Sequence, residues 1–260
     1  MTSFPLTVFI ISYERPLYLW ATLDSLYRAT KSDVRFVLID SGSKDPLVHK
    51  VIDGFSRRGL FFDIVKFEHN NIEWADPFFS HWHDKLGEVF FTVESDVVIK
   101  EAKTCWAQRM LAVMESNPSM AMLGSIIDKS DFIDPAVLER QITRKLTEEE
   151  KQQIKFFSPE RTMPHIDPDS VASPFNPPGR LIALRTKAVR DHLGNAMKWN
   201  DDEMHNILIR NGWDTGIYGG VVHRHLSLCN YFDYNDYSIE QRDKYMQLYA
   251  EGTHCRYSII

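Results

Sequence analysis

The first hundred residues alternate two patterns of apolar and polar positions. TVFIISY (7–13) is a run of β-branched and aromatic residues that predicts a strand. After Pro16, LYLWATLDSLYRA places Leu19, Leu23 and Leu26 at helical spacing. VRFVLID (34–40) predicts a second strand closed by the turn signal SGSKDP, and PLVHKVIDGFSRR a helix. FFDIVKF (61–67) predicts a third strand and DPFFSHWHDKL (76–86) a helix. EVFFTVE then predicts a fourth strand and KTCWAQRMLAVMESN (103–117) the helix after it. Continuous apolar strands alternating with helices at this pitch predict a doubly wound α/β architecture, a mostly parallel but mixed central sheet flanked by helices.

Residues 128–180 break the pattern. DKSDFIDPAVLERQITRKLTEEEKQQIKFF predicts a charged helical insertion, and SPERTMPHIDPDSVASPFNPPG (158–179) carries six prolines among few apolar residues, the signature of a loop or lid. Order resumes with GRLIALRTKAVRDHLG, a short strand and a helix that Thr186 is placed to cap. WNDDEMHNILIRNGW predicts another helix ending near Gly212, followed by a strand over DTGIYGGVVHRHL and an aromatic, polar tail. The expectation is a single domain over 1–260, with no internal repeat.

Charge narrows the partners. The 36 acidic residues outnumber the 30 basic ones, for a net charge of −6, so no broad basic field is available to hold nucleic acid. Cys105, Cys229 and Cys255 are odd in number and irregularly spaced, which suits neither a disulfide framework nor a zinc knuckle and points to a reducing compartment. No signal-peptide pattern opens the sequence, and no apolar run approaches the roughly 20 residues that span a bilayer. The expected location is cytoplasmic, with room for peripheral contact at the inner face of a membrane.

In open sheets of this kind ligands sit beyond the carboxyl ends of the strands. Three stretches fall there: Ser12 to Arg15, Asp40 to Ser43, and Glu94 to Asp96. In VFFTVESDVVI (89–99), Glu94 and Asp96 flank one small residue, Ser95, where a buried strand should close. A carboxylate pair so placed suits Mg²⁺ or Mn²⁺, which take few protein oxygens and complete their shells with water and phosphate. That cation would let an acidic protein bind a diphosphate. Solvated strand-end charges are the plain alternative. Asp40 suits either a hydrogen bond to a base ring or an Asx turn, and Tyr13 either a ligand-facing ring or ordinary core. His81 and His83 lie about 200° apart on a helix and read as surface or loop residues. Arg180 and Arg161 are within plausible reach of phosphate, and Trp82, Trp199 and Trp213 suit sugar stacking or core packing.

TVFIISYERPLYLWATLDSLYRAT followed by VRFVLIDSGSKDP resembles the opening of family 2 glycosyltransferases, inverting enzymes of the GT-A fold. That family carries a strand, a Tyr-Asn-Arg-Pro-like turn, a helix, and a strand ending in Asp-x-Gly-Ser. VFFTVESDVVI sits where the family has its Asp-x-Asp metal motif. GRLIALRTKAVRDHLG is similar to the strand and helix before the acceptor site, WNDDEMHNILIRNGW to the Glu-Asp helix, and VVHRHLS to the late histidine. The resemblance implies a GT-A-like domain whose residues 1–100 bind a nucleotide-diphospho-sugar and whose residues 101–260 serve the acceptor. It implies that Asp40 and Tyr13 meet the nucleotide base, with Arg15 and Ser95 lining the donor pocket. It further implies that Glu94 faces the ribose or the metal, and that Asp96 and His223 complete the Mn²⁺ or Mg²⁺ site. His225, two positions on, stays open as the alternative ligand. Two departures stand out: Glu94 replaces the motif's first Asp, and Asn200 replaces the Glu of the Glu-Asp pair, leaving Asp201, with Asp202 beside it, as the matched base.

The implied reaction is a single displacement at an anomeric carbon, in which a carboxylate takes the proton of an acceptor hydroxyl while the diphosphate departs. The acceptor would be a glycan or lipid-linked glycan, as in polysaccharide biosynthesis. Acids in a first helical turn also stabilise the helix dipole, the structural alternative for Asp201 and Asp202. Two other readings are a non-catalytic GT-A-like nucleotide-sugar-binding protein, with Glu94 and Asn200 as marks of decay, and a nucleotidyltransferase. The latter is disfavoured because SYERP lacks the Gly-rich turn that cradles a triphosphate.

Overall fold

The computed structural model describes residues 6–70, 81–128, 136, 139, 145–149, 151–152, 165–178, 180–193 and 200–226. The strands are β1 (Leu6–Ser12), β2 (Val34–Asp40), β3 (Phe61–Lys66), β4 (Val89–Glu94), β5 (Val97–Ile99), β6 (Met120–Ile127), β7 (Val171–Ala172), β8 (Leu181–Arg185) and β9 (Asp214–His225). The main helices are α1 (Pro16–Ala29), α2 (Pro46–Arg57), α3 (Trp106–Ser116) and α4 (Asp201–Arg210). Among the described residues the nine strands form one sheet in the order β3-β2-β1-β4-β8-β6-β9-β5, with β7 also paired to β9. β1, β2, β3 and β4 are mutually parallel, whereas β8 runs antiparallel to both β4 and β6. The mixed, mostly helix-covered α/β sheet is the architecture the sequence predicts.

The apolar runs are continuous because both faces of the sheet are covered. Val8 and Ile10 of β1, Leu38 of β2 and Phe91 and Val93 of β4 pack with Leu19, Leu23 and Leu26 of α1 and Val48, Ile52 and Phe55 of α2. The intervening Phe9, Val37, Ile39 and Phe90 point the other way, into a second core with Trp82, Met204 and Leu208. This alternation follows from the two-residue period of a strand. Pro at the first position of α1 and of α2 removes an amide that would have no helical partner, and Asp45 caps α2 by accepting from the Leu47 amide at 2.9 Å.

Several elements differ from the sequence expectations. β6, MAMLGSII, goes unread in the sequence although its apolar character is plain; it fills the sheet between β8 and β9. The fourth strand closes at Glu94 as expected, but a further short strand, β5, goes unread directly after it. β4 lies at the sheet centre and β5 at its far edge, antiparallel to β9, so the chain turns at Ser95 and Asp96. Thr186 is not a helix cap. Its hydroxyl donates to the Gly87 carbonyl at 2.6 Å, and a single turn, Thr186–Ala188, passes into a π-helical turn, Val189–Leu193. The helix expected over 76–86 is described only at its end, where His81 is exposed, Trp82 is buried and His83–Lys85 forms a 3₁₀ turn. The insertion expected from 128 to 157 lies largely outside the described residues. Arg161, Trp199 and the tail after 226 lie wholly outside them.

The described part of the Pro-rich segment, 165–178, is strapped to β9. β7 pairs antiparallel with it, the Gly219 amide donates to the Ser170 carbonyl at 2.8 Å, and the Phe175 amide donates to the Thr215 carbonyl at 3.0 Å. Asp169 accepts from the Tyr218 hydroxyl at 3.0 Å and pairs with Arg109 of α3. Glycines on β9 make this approach possible: a Cβ on Gly216 would stand 2.5 Å from the Ala172 carbonyl oxygen. Gly216→Val is therefore predicted to push the strap off the sheet and cost about 1–3 kcal/mol of overpacking. Urea unfolding measures the loss, and limited proteolysis is expected to show new cleavage within 165–178.

Candidate active site

The parallel registers align three strand ends. Ser12 pairs with Asp40, and Ile11 with Glu94, so the chain segments leaving β1, β2 and β4 emerge along one edge of the sheet. After β1 the backbone takes two consecutive left-handed residues, Glu14 at φ 50° and Arg15 at φ 60°, before Pro16 starts α1. This conformation sends the Arg15 side chain to the turn after β4. Its Nη1 donates to Asp96 Oδ2 at 3.1 Å, and its guanidinium lies 4.3 Å from the centre of the Tyr18 ring. On the other side of the same turn, His225 Nε2 stands 3.2 Å from the same Asp96 oxygen. The Leu226 amide donates to the Asp96 carbonyl at 2.8 Å, fixing the end of β9 to the turn.

Asp96 is 2% exposed. Burial pushes its carboxyl up, but His225, Arg15 and Arg180 together outweigh burial and hold it well below the usual carboxylate range. Glu94 shows the opposite balance. Burial raises it, the Arg180 guanidinium draws it back, and the neighbouring Asp96 charge adds to the rise, leaving it above its ordinary value. Arg180 forms an ion pair with Glu94, and the Glu94 amide donates to the Arg180 carbonyl at 2.9 Å. Burial works to lower the Arg180 value, but the carboxylates of Glu94, Asp96 and Asp201 raise it. Arg180 thus lies within electrostatic reach of both acids of the β4 turn and of the first acid of α4.

His223 and His225 lie two residues apart on β9, on one face of the strand. They do different things. His223 is fully buried, and its Nδ1 is 2.7 Å from the Ser125 hydroxyl of β6. Burial first, and then the His225 and Arg180 charges, push it down to about 3. His225 is the histidine in contact with Asp96.

At the amino end of α4, Asn200 caps the helix, its side-chain oxygen accepting from the amides of Asp202 at 3.0 Å and Glu203 at 3.3 Å. Asn176 of the strap donates its side-chain amide to the exposed Asp202 carboxylate, whereas Asp201 is half-buried, accepts from the Asp202 amide at 3.1 Å and lies within electrostatic reach of Arg180. Asn200, read in the sequence as a departure, therefore has a clear structural function. Asp40 is buried and accepts from the Ser43 amide, three residues on, at 3.1 Å. Tyr13 is half-buried beside it along the same sheet edge, and Ser95 is buried in the β4 turn. The structure thus gathers Arg15, Glu94, Ser95, Asp96 and His225 at one turn, with Arg180 paired to Glu94 and Asp201 within electrostatic reach of Arg180. Asp40 and Tyr13 stand at the neighbouring strand ends, Asp202 is turned to the strap, and His223 is turned to β6. Glu14 and Asn176 escape the sequence reading, since their contacts depend on a left-handed turn and on strap packing that no periodicity announces.

The donor set suits a divalent cation. Two cis ligands of an octahedral Mg²⁺ or Mn²⁺ at about 2.1 Å stand about 3 Å apart, close to the 3.2 Å between Asp96 Oδ2 and His225 Nε2. A carboxylate and an imidazole match Mn²⁺ in ligand type. Among the described residues no group of three or more His, Cys, Asp or Glu side chains is arranged to hold a metal ion. A pair of protein donors instead leaves most of a metal's positions to water and phosphate.

No curated protein matches the sequence. Many solved structures share the fold, two glycosyltransferases among them. A mannosyltransferase, PcManGT from Pyrobaculum calidifontis, in complex with GDP-Man and Mn²⁺, matches over 85% of this chain and 56% of its own, with a TM-score of 0.57 and 15% identity. GalNAc-T7 with UDP, GalNAc and Mn²⁺ matches over 86% of this chain and 44% of its own, with a TM-score of 0.56 and 14% identity. The chain thus spans about half the length of these GT-A proteins. The model of glycosyl transferase family 2 matches residues 7–169, from β1 through the β4 turn to the start of the strap and more than half of the sequence, and the chain belongs to that family.

Proposed function

We propose that the protein is a metal-dependent, inverting glycosyltransferase that moves a sugar from a nucleotide-diphospho-sugar to a hydroxyl of a glycan acceptor, lipid-linked or free. The observation that carries this reading is the buried Asp96 carboxylate, kept ionised at the sheet edge with His225 on the same oxygen. The two solved GT-A proteins bound to Mn²⁺ with GDP-Man, or with UDP and GalNAc, support the choice of donor and metal. Among the described residues no helix is long and apolar enough to cross a membrane. A peripheral, cytoplasmic-face location is part of the proposal.

Asp96 and His225 are the residues that would hold Mn²⁺ or Mg²⁺; His225 takes the role that the resemblance gave to His223, because His225 is the histidine in contact with Asp96. When bound, the cation supplies charge stabilisation to the departing diphosphate. Arg15 and Arg180 stand on either side of the pair and lower the cost of gathering anionic groups there. Asp40 and Tyr13 orient the base at the ends of β2 and β1. Asp201 takes the proton from the acceptor hydroxyl as the new glycosidic bond forms and the bond from the anomeric carbon to the diphosphate breaks. Asp201 is preferred to Asp202 because it is the less exposed of the two and lies within electrostatic reach of Arg180.

Two outcomes follow. In calorimetry with UDP and GDP, with and without Mn²⁺, Asp96→Ala is expected to abolish the metal-dependent part of binding. Binding of either nucleotide by this variant with undiminished Mn²⁺ dependence contradicts the metal assignment. Asp201→Asn is expected to keep donor affinity and lose about 10²–10⁴-fold in transfer, while Asp202→Asn stays within a few-fold of wild type. A radiolabelled-donor transfer assay separates them, and full activity in Asp201→Asn overturns the base assignment. Donor binding by wild type with no turnover across an acceptor panel favours the non-catalytic alternative.

A further inference from the structure

Glu14 stands where the Tyr-Asn-Arg-Pro-like turn has Asn, in a backbone region that Asn tolerates and a longer side chain seldom adopts. Such a conformation persists where surrounding bonds over-determine it, and here they do. One Glu14 carboxylate oxygen accepts from the Lys44 amide at 2.6 Å and the other from the Asp45 amide at 3.0 Å. The Glu14 amide itself donates to the Ser43 hydroxyl at 2.8 Å, and the Ser43 amide donates to Asp40. The loop after β2 is held from its far side as well. The Phe67 amide donates to the Asp40 carbonyl at 2.9 Å, the Lys44 ammonium donates to the Glu68 carbonyl at 3.0 Å, and Gly42, at φ 84°, lies so near the 68–69 backbone that a Cβ would meet it at 2.8 Å. Two adjacent left-handed residues thus divide the labour: Glu14 clasps the loop that carries Asp40, and Arg15 reaches the turn that carries Asp96.

We propose that Glu14 is a positioning residue that sets the nucleoside end of the donor pocket by clamping residues 41–45, and so fixes the distance between the base-binding Asp40 and the Asp96 turn. This rests on the glycosyl-transfer reading in which Asp40 meets the base. Two charge-assisted hydrogen bonds are at stake. Glu14→Gln keeps the length of the side chain but sets an N–H against one of the two backbone amides.

The test compares UDP with uridine and GDP with guanosine, in the presence of Mn²⁺, by calorimetry or competition, on wild type and Glu14→Gln in the full chain. Glu14→Gln is expected to weaken nucleoside and nucleoside diphosphate by the same factor, about tenfold for a loss near 1.4 kcal/mol, and to lower the melting temperature by a few degrees because one backbone amide loses its acceptor. The unchanged ratio locates the loss at the nucleoside end, provided the melting temperature stays well above that of the assay and the binding stoichiometry stays at that of wild type, since a smaller competent fraction would weaken both ligands alike. Unaltered affinity in Glu14→Gln, or a loss confined to the diphosphate, overturns the inference while leaving the glycosyl-transfer reading intact. Absence of any nucleotide binding by wild type overturns that reading and the inference together. If Glu14→Gln does not fold, Ser43→Ala decides: it removes the acceptor of the Glu14 amide, and a smaller loss in the same ratio is expected, with no loss counting against the proposal.

Discussion

A carboxylate that is almost wholly out of water must be compensated, and the compensation of Asp96 organises this end of the molecule. Taking a lone carboxylate into a protein interior costs several kcal/mol, which would ordinarily be avoided by protonation. Here His225, Arg15 and Arg180 reverse the effect of burial. Each arrives from a different element: the loop after β1, the start of β8 and the end of β9. The fold has to bring three separate parts of the chain to one turn to keep that acid charged, and it is this turn that the proposed function assigns to the cation and the diphosphate.

The sheet order supplies the convergence. Because β1, β2 and β4 are parallel, their carboxyl ends share an edge, and because β8 returns antiparallel beside β4, its amino end delivers Arg180 to that same edge. β9 is long enough to pair with β6, β7 and β5 in turn, so it ties the strap, the second half of the sheet and the Asp96 turn into one rigid unit.

Much of this was legible in the sequence. The strands β1 to β4 and the helices α1, α2 and α3 follow from period and turn signals, and the placement of Asp40, Glu94 and Asp96 at strand ends follows from the doubly wound pattern. What escaped has a common physical cause. β5 is only three residues long and follows β4 after a two-residue turn, too short to show a period of its own. The choice between His223 and His225 turns on which neighbour each meets across the sheet, Ser125 or Asp96, and strand pairing between distant segments leaves no trace in local periodicity. The Glu14 clasp depends on a positive φ at a residue type that rarely takes one. Asn200 looked like a lost catalytic acid and is a helix cap.

The most direct examination of the central claim is a crystal structure of the protein with Mn²⁺ and a nucleoside diphosphate, with diffraction recorded across the manganese absorption edge. The account predicts one anomalous peak within about 2.0–2.4 Å of an Asp96 carboxylate oxygen and His225 Nε2, bridging to the diphosphate. A nucleotide bound at the strand ends with manganese elsewhere, or with Asp96 still held only by Arg15 and His225, would contradict it.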